Sequence, residues 1–314
     1  MLGDSERSFI TGCMNNYSKV GRKGAMRKVT SPLRYPGGKS KALGQILPLI
    51  PLDFSEYREP FLGGGSVFIA LKQLHPQATY RINDLNHDLF CFWITIRDNV
   101  DELIGEVIRI RRRYKDGKKL YEKLARSSSL DDFSRALRFY VLDRITYSGL
   151  VDSGGYSSEA FERRFTQSNI DKLRPLSNLL QSVEITNQSY ENLLLEKGKN
   201  VFIYLDPPYW NSRKSKLYGK NGDLHKSFSH KQFAENVGKC QHRWLITCDD
   251  SDMIHESFAF ANTRPWEMQY GMTNVERDRI NKGKELFITK YAPEEHQVVS
   301  VPLSASTTLD DCPT

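Results

Sequence analysis

Apolar residues recur along the chain in two patterns, as short runs and as longer stretches with helical spacing. Short runs bounded by Gly, Pro or polar residues predict strands at 57–61, 79–83, 183–185, 201–205, 244–247 and 285–289. Residues 66–74 predict a helix, and apolar positions recur at near-helical spacing from 86 to about 147. This order predicts an α/β sheet interrupted by a mainly helical insertion. The Gly- and Ser-rich segment 151–165 predicts a loop or hairpin.

The two ends of the chain lack such patterns. Residues 1–30 are polar and basic and predict a disordered arm, while 292–314 hold four acids and no Lys or Arg and predict an acidic flexible tail. No apolar run approaches the roughly 18–20 residues of a membrane-spanning helix, and the N-terminus has no apolar signal segment. None of the five cysteines has CxxC spacing. Their spacing argues against a zinc ribbon or redox motif and fits a reducing cytoplasm.

Positive charge is concentrated in two segments. The chain has a formal net charge of +7, and residues 106–126 hold nine Lys or Arg against three acids. Residues 211–231 hold six against one acid. Either run alone fits a solvated helix face equally well, but two of them favour a polyanion such as nucleic acid. The candidate contacts are Arg111, Arg112, Arg113, Arg213, Lys214 and Lys216.

The first glycine cluster, at 36–40, ends in the GKS letters of a phosphate-binding loop. That motif needs a glycine five residues before Gly38, but position 33 is Leu33, and no apolar strand precedes it. A nucleoside triphosphatase is therefore rejected. By pattern alone the cluster is a turn with a solvated Lys39.

The second cluster, Gly63-Gly64-Gly65-Ser66, lies between a predicted strand and a predicted helix. Glycines there let the backbone approach a ligand, and the helix presents free N–H groups. Asp84 ends the next strand, where an acid can accept hydrogen bonds from ribose hydroxyls. The last glycine of a dinucleotide fingerprint is replaced by Phe68, so an adenosine-based sulfonium fits better than a dinucleotide. A tight turn with a helix cap explains the cluster equally well.

The most specific pattern is the buried strand 201–205, which leads directly into Asp206-Pro207-Pro208-Tyr209. Two prolines end the strand and leave a carboxylate and an aromatic ring at its carboxyl edge, where ligands of open α/β sheets bind. The exocyclic amine of a nucleobase is a poor nucleophile because its lone pair is delocalised. Hydrogen bonds to Asp206 and to the Pro207 carbonyl would favour its nucleophilic geometry, and Tyr209 would stack on a base flipped out of its duplex.

These motifs resemble the Dam-type adenine-specific DNA methyltransferases, in which the cofactor motifs precede the catalytic one. The matching segments, in order, are LRYPGGKSK at 33–41, EPFLGGGSVF at 59–68, NDLN at 83–86 and LDPPYW at 205–210. Three further segments at 138–150, 244–252 and 282–291 resemble later parts of that family. The resemblance covers about residues 31–291. It implies a Rossmann-like S-adenosylmethionine-dependent methyltransferase sheet at 31–86 and 166–291, with a helical target-recognition insertion at 87–165.

Site residues follow from the resemblance by position. It implies cofactor contacts along the two glycine clusters and at two acids, namely Tyr35, Lys39, Pro60, Phe61, Gly63, Gly65, Ser66, Asp84 and Asp206. Asp206, Pro207, Pro208 and Tyr209 are the catalytic motif, while Arg34 and Tyr147 are added to the DNA contacts. The segment 151–165 departs from the usual basic hairpin of the family, so no recognition sequence is transferred.

The function implied is site-specific methylation of adenine N6 in double-stranded DNA, yielding N6-methyladenine and S-adenosylhomocysteine. The reaction requires neither a metal nor a cysteine nucleophile. A bacterial or phage-encoded monomer in the cytoplasm is expected, either solitary or paired with a restriction endonuclease. Two rivals are a cytosine-N4 or RNA methylase of the same fold and an inactive specificity subunit. The intact tetrapeptide argues against the second, and a helix-turn-helix repressor leaves the α/β portion unexplained.

Overall fold

Seven strands form one mixed sheet in the computed structural model, which describes residues 28–210, 228–269 and 282–292. The predicted contacts Arg213, Lys214 and Lys216, and nearly all of the predicted arm and tail, lie outside these residues. The strands are β1 Glu56–Glu59, β2 Thr79–Asn83, β3 Val183–Thr186, β4 Val201–Leu205, β5 Arg243–Asp249, β6 Asn262–Gln269 and β7 Lys282–Thr289.

The strand order is β3-β2-β1-β4-β5-β7-β6. Strands β1 to β5 run parallel, and β7 runs antiparallel to both of its neighbours. Tyr57 on β1 faces Tyr80 on β2 and Phe202 on β4 in register. The chain therefore leaves β1 in one direction and β4 in the other, which creates a crevice at the carboxyl ends of these two strands. The α/β, Rossmann-like prediction is confirmed.

Twelve α-helices are present in the described part of the chain. They are α1 Leu43–Ile46, α2 Ser66–Leu74, α3 His87–Asp98, α4 Val100–Arg113, α5 Gly117–Ala125, α6 Asp132–Ile145, α7 Ser158–Arg164, α8 Gln167–Ile170, α9 Leu173–Leu180, α10 Tyr190–Leu195, α11 His230–Lys239 and α12 Asp252–Ser257. None of these helices is both long and apolar enough to cross a membrane. Helix α2 has the bounds predicted from the sequence.

The helices of the predicted insertion, 87–165, share a hydrophobic cluster with the sheet. Phe92 and Trp93 on α3 and Tyr140 on α6 are fully buried in the cluster that contains Tyr57 and Tyr80 of the sheet. The rings of Phe92 and Tyr140 stack with centroids 5.7 Å apart and planes within 6°. This packing joins α3 and α6 to the same core as β1 and β2. Residues 87–165 as a recognition insertion stay a prediction.

Two local expectations were wrong. Strand β6 was not predicted, because its sequence NTRPWEMQ has few apolar residues and contains Pro265. It is an edge strand, where proline is tolerated, and only Trp266 and Met268 of its described side chains are buried. Part of the predicted loop at 151–165 forms helix α7, which begins where the Ser157 side chain accepts a hydrogen bond from the Ala160 amide.

Candidate active site

A cavity of about 460 Å³ opens at the carboxyl ends of β1 and β4. Every residue predicted to contact a cofactor lines it, and so does the whole catalytic tetrapeptide. These residues are Tyr35, Lys39, Pro60, Phe61, Gly63, Gly65, Ser66, Asp84, Asp206, Pro207, Pro208 and Tyr209. The two glycine clusters and the motif after β4, separated by up to about 170 residues in sequence, thus form one site.

The glycine loop between β1 and α2 needs glycine for two physical reasons. Gly63 and Gly65 have φ of +49° and +64°, which residues with a side chain rarely adopt. A Cβ at Gly63 would also lie 2.8 Å from Cε1 of Tyr35. The loop therefore packs closely under the Tyr35 ring and presents the first turn of α2 to the cavity.

Asp84 holds this loop in place. Its Oδ2 accepts a hydrogen bond of 2.8 Å from the Gly63 amide, and its Oδ1 accepts one of 2.9 Å from the Asn86 amide. Burial raises the pKa of Asp84 to about 6, although both amide hydrogen bonds act in the opposite direction. The sequence suggested only that this acid faces a ribose. The structure adds a second task, the anchoring of the glycine loop.

Asp206, directly after β4, is bound by a buried lysine. Lys39 Nζ lies 2.6 and 2.7 Å from the two carboxylate oxygens and donates a further hydrogen bond of 2.9 Å to the Gly37 carbonyl. The Lys39 side chain is only 4% exposed. The interpretation of Lys39 as a solvated turn residue was therefore wrong, because Asp206, 167 residues later in the chain, supplies its counter-charge.

Two hydroxyls, one on β5 and one on β4, support Asp206. The Thr247 hydroxyl on β5 donates a 2.8 Å hydrogen bond to Asp206 Oδ1, and Tyr204 lies 2.8 Å from the same threonine. Oδ1 thus accepts hydrogen bonds from both Lys39 and Thr247. Among the described residues, Oδ2 accepts a hydrogen bond from Lys39 alone, which leaves it capacity for another donor.

The rest of the tetrapeptide is fixed by residues of β7 and β5. Tyr209 donates a 2.6 Å hydrogen bond to Glu285 on β7, and the ammonium of Lys39 lies 5.0 Å from the centre of the Tyr209 ring. Burial raises the pKa of Glu285 to about 7. Next along the chain, the Trp210 amide donates a 2.8 Å hydrogen bond to Asp249. These contacts hold the tyrosine ring at the edge of the cavity.

Several lining residues were missed by sequence reasoning. Glu59 ends β1, lines the cavity and is 2% exposed, and burial raises its pKa to about 8. Its carboxylate accepts a 2.5 Å hydrogen bond from Tyr57. Phe61 and Tyr190 stack with centroids 5.3 Å apart, and Phe228 closes this aromatic wall. An acid at the end of β1 was a visible signal, but the aromatic partners come from distant segments.

Two predicted DNA contacts, Arg34 and Tyr147, lie on neighbouring segments outside the cavity. The Arg34 guanidinium donates a 3.1 Å hydrogen bond to the Thr146 carbonyl, and its backbone amide donates to Asp143. Burial lowers the pKa of Arg34. Tyr147, directly after Thr146, is 61% exposed. The half-buried arginine is thus fixed beside an exposed aromatic ring.

The three other described candidates end helix α4. All three arginines are exposed, and Arg111 also donates a 2.9 Å hydrogen bond to the Phe165 carbonyl. Arg113 lies over the neighbouring Tyr114 ring, 5.8 Å from its centre. One of these arginines therefore also ties α4 to the segment after α7, and the other two present their charge to solvent.

Comparison with known proteins agrees with this geometry. The sequence model of the D12 class of N6 adenine-specific DNA methyltransferases matches residues 35–272. The chain is 29% identical over 196 residues to a type II methyltransferase, M.MjaIII, of Methanocaldococcus jannaschii, covering 56% of this chain and 68% of that protein. It is 29% identical over 188 residues to the type II methyltransferase M1.LlaDCHI of Lactococcus lactis subsp. cremoris, covering 56% and 64%.

A DNA adenine methylase of Salmonella typhimurium is 26% identical over 196 residues, which cover 59% of this chain and 66% of that protein. The chain thus spans about two thirds of the length of each of these three relatives.

Proposed function

This chain belongs to the D12 class of N6 adenine-specific DNA methyltransferases, and on that premise we propose that it methylates adenine N6 at a specific sequence in duplex DNA. The observation that carries the proposal is the shared cavity. It brings the Asp206–Tyr209 motif against a glycine loop and an acid at the end of β2. A methyl acceptor and a methyl donor can therefore meet in one enclosed space.

The lining residues fit S-adenosylmethionine as the donor. Its sulfonium and ammonium groups are cationic, and the carboxyls of Glu59, Asp84 and Asp206 face the cavity. The Phe61–Tyr190 pair offers aromatic surface for a purine ring. Bound there, the donor supplies an electrophilic methyl group. The predicted contacts Tyr35, Lys39, Pro60, Gly63, Gly65 and Ser66 would hold it from the side of the glycine loops.

The chain's own groups activate the acceptor. Asp206 Oδ2, which has capacity for another hydrogen bond, accepts one hydrogen of the adenine amine, and the Pro207 carbonyl accepts the other. Tyr209 stacks on the flipped base, with its ring oriented by Glu285. Both amine hydrogens are then held by acceptors, so the nitrogen lone pair is directed at the methyl group. As the new N–C bond replaces the S–C bond, the nitrogen would release one of these hydrogens as a proton through its acceptor. Pro208, whose carbonyl lies 2.8 Å from His230, fixes the loop.

Duplex DNA would approach over the basic segments. Arg34 and Tyr147 lie beside each other, Arg111–Arg113 end α4, and the basic run 211–231 follows the catalytic motif in sequence. Affinity carried by such contacts falls steeply with salt. We expect a monomer acting in the cytoplasm. Type II methyltransferases are among its relatives, as is a DNA N-6-adenine-methyltransferase of Escherichia phage P1, so a paired restriction endonuclease and a solitary phage role both fit the proposed activity.

The test is an end-point assay with S-adenosylmethionine that carries an isotopically labelled methyl group. Mixed-sequence duplex DNA and total RNA are incubated separately with the chain and with Asp206→Ala, then digested to nucleosides and examined by mass spectrometry. We expect label in N6-methyladenine from DNA and none with the variant. Label in N4-methylcytosine or in RNA would overturn the substrate. Donor binding without any transfer would favour the inactive-subunit alternative.

A further inference from the structure

Three side chains outside the methyl-transfer cavity converge on a single point near the surface. His87 and Cys91 lie one turn apart on α3, and Asp132 lies in the first turn of α6. One imidazole nitrogen, the thiol sulfur and a carboxylate oxygen of this cluster lie within 4.8 Å of one another. His87 is 47% exposed and Asp132 is 72% exposed, whereas Cys91 is buried. The mechanism above uses none of them.

The separations are those of ligands around one tetrahedral ion. His87 Nε2 lies 3.6 Å from Cys91 Sγ and 3.2 Å from Asp132 Oδ1. With Zn–N and Zn–O bonds of about 2.1 Å and a Zn–S bond of about 2.3 Å, tetrahedral geometry places nitrogen about 3.6 Å from sulfur and about 3.4 Å from oxygen. The two observed separations agree with these values to within about 0.2 Å.

The other imidazole nitrogen is already engaged. His87 Nδ1 lies 3.1 Å from Asn187 Oδ1. The Asn187 amide can have only one orientation, because its Nδ2 donates hydrogen bonds to the carbonyls of Asp84 and Leu85. Its oxygen must therefore accept the hydrogen of Nδ1. In the neutral ring this orientation leaves the lone pair on Nε2, and a hydrogen bond from the second ring nitrogen is typical of histidines that ligate metals.

A catalytic relay does not explain the same arrangement. A Cys–His–Asp relay uses the two ring nitrogens, one toward the thiol and one toward the carboxylate. Here both Cys91 and Asp132 face Nε2. Without a metal ion, the contact between Nε2 and Asp132 is that of an ion pair to a protonated imidazole, and the metal titration described below distinguishes the two explanations.

We propose that His87, Cys91 and Asp132 form a tetrahedral Zn²⁺ site whose fourth ligand is water. A thiolate and a carboxylate together balance the charge of the ion, and nitrogen with sulfur is the ligand set that zinc prefers. The nearby Asp88 carboxylate does not compete, because it binds Arg135 and Arg138 at 2.6 and 3.3 Å. The ion would join the start of α3 to the start of α6.

The position gives the site a structural purpose. Asn187 hydrogen-bonds His87 and also donates to the carbonyls of Asp84 and Leu85. The side chain of Asp84 in turn accepts the hydrogen bond from the Gly63 amide. Zinc would therefore stabilise the junction between the end of β2 and helix α3. It takes no part in methyl transfer, for which no metal is expected.

Binding of the ion displaces the proton of the thiol, because the zinc ligand is the thiolate. The exchange is Cys–SH plus Zn²⁺ giving Cys–S–Zn⁺ plus H⁺, and the buffer takes up the proton. Calorimetric titration with Zn²⁺ in two buffers of different ionisation enthalpy measures this proton directly.

The test uses the full chain without a histidine tag, titrated with Co²⁺ and with Zn²⁺. We expect one Co²⁺ per chain, with a thiolate-to-cobalt absorption band and the visible bands of tetrahedral Co²⁺, which Zn²⁺ then displaces. His87→Gln and Cys91→Ser should remove the thiolate band. Asp132→Asn, at an exposed position that should not affect folding, should weaken binding by at least about tenfold, the range seen when outer-shell partners of a metal ligand are lost.

Two controls separate this site from other binding. His255 and Asp250 form a pair at 2.8 Å with the same 47% histidine exposure, so His255→Gln should leave binding unchanged. A Cys13→Ser/Cys312→Ser double variant should retain the thiolate band, because the proposed ligands do not include either cysteine. Absence of Co²⁺ binding to the folded wild-type chain would overturn the proposal, as would a thiolate band that survives in Cys91→Ser.

Discussion

Removing either partner of the buried pair between Lys39 and Asp206 should lower the free energy of unfolding by several kcal/mol. At 2.6 Å and an effective dielectric constant of about 20, the Coulomb attraction is roughly 6 kcal/mol before desolvation is subtracted. Removing one partner of a buried pair typically costs about 3–5 kcal/mol, because a charge is left without compensation. Asp206 is 20% exposed and keeps its hydrogen bond from Thr247, so we expect the lower end, about 3 kcal/mol, for Lys39→Met.

A double-mutant cycle isolates this pair. Lys39→Met and Asp206→Asn should each lower the free energy of unfolding by about 3 kcal/mol, measured by urea denaturation followed by circular dichroism. The double variant leaves no unpaired charge. Its decrease in the free energy of unfolding should be about 3 kcal/mol smaller than the sum of the decreases in the two single variants. In thermal melts each single substitution should lower Tm by roughly 6 °C for a chain of this size.

An exposed pair provides the matched control. Arg174 and Asp101 are also 2.6 Å apart, but their side chains are 61% and 70% exposed. Arg174→Met should therefore change the free energy of unfolding by less than about 1 kcal/mol. The reasoning is refuted if Lys39→Met is no more harmful than Arg174→Met, or if the costs of Lys39→Met and Asp206→Asn simply add.

Three further changes test other parts of the site. A cationic donor should bind best when Glu59 is ionised, so the affinity for the donor should rise with pH up to about 8 and level off above. In Glu59→Gln, calorimetry should show no such rise between pH 7 and 8. A pH profile unchanged from wild type would contradict the role of Glu59. Tyr209→Ala should lower kcat/KM by about 10- to 100-fold, because the base loses its stacking partner. Tyr209→Phe loses only the hydrogen bond to Glu285 and should retain most of the wild-type kcat/KM. Equal losses in the two variants would refute stacking. Gly65→Ala should impair donor binding and lower Tm, because φ of Gly65 is +64° and the added Cβ would lie 2.9 Å from Trp93. Wild-type affinity and Tm in this variant would refute the requirement for glycine.

The parts of the site that could be predicted from the sequence are those determined by local sequence patterns. Strand β4 and the motif after it, the glycine loop and helix α2 each depend on consecutive residues, so periodicity and proline or glycine placement were sufficient. The carboxyl ends of parallel strands meet at one edge, so Asp84 and Asp206 could be expected in the same crevice.

What sequence could not predict depends on distant partners. Lys39 forms its ion pair with Asp206, 167 residues later in the chain, and Tyr209 donates its hydrogen bond to Glu285, 76 residues later. Strand β6 exists because β7 pairs with all eight of its residues, not because its own composition favours a strand. The convergence of Asp132 with His87 and Cys91 likewise requires two helices to pack, and no short-range motif marks it.

The most direct test of the central claim is to express the chain in bacteria that lack adenine methylation and to sequence the genomic DNA by a method that detects modified bases. We expect N6-methyladenine at nearly every copy of one short sequence, and none when Asp206→Ala is expressed to the same level as folded protein. Unmodified adenines in the presence of folded wild-type chain, or a modified cytosine in their place, would contradict the account.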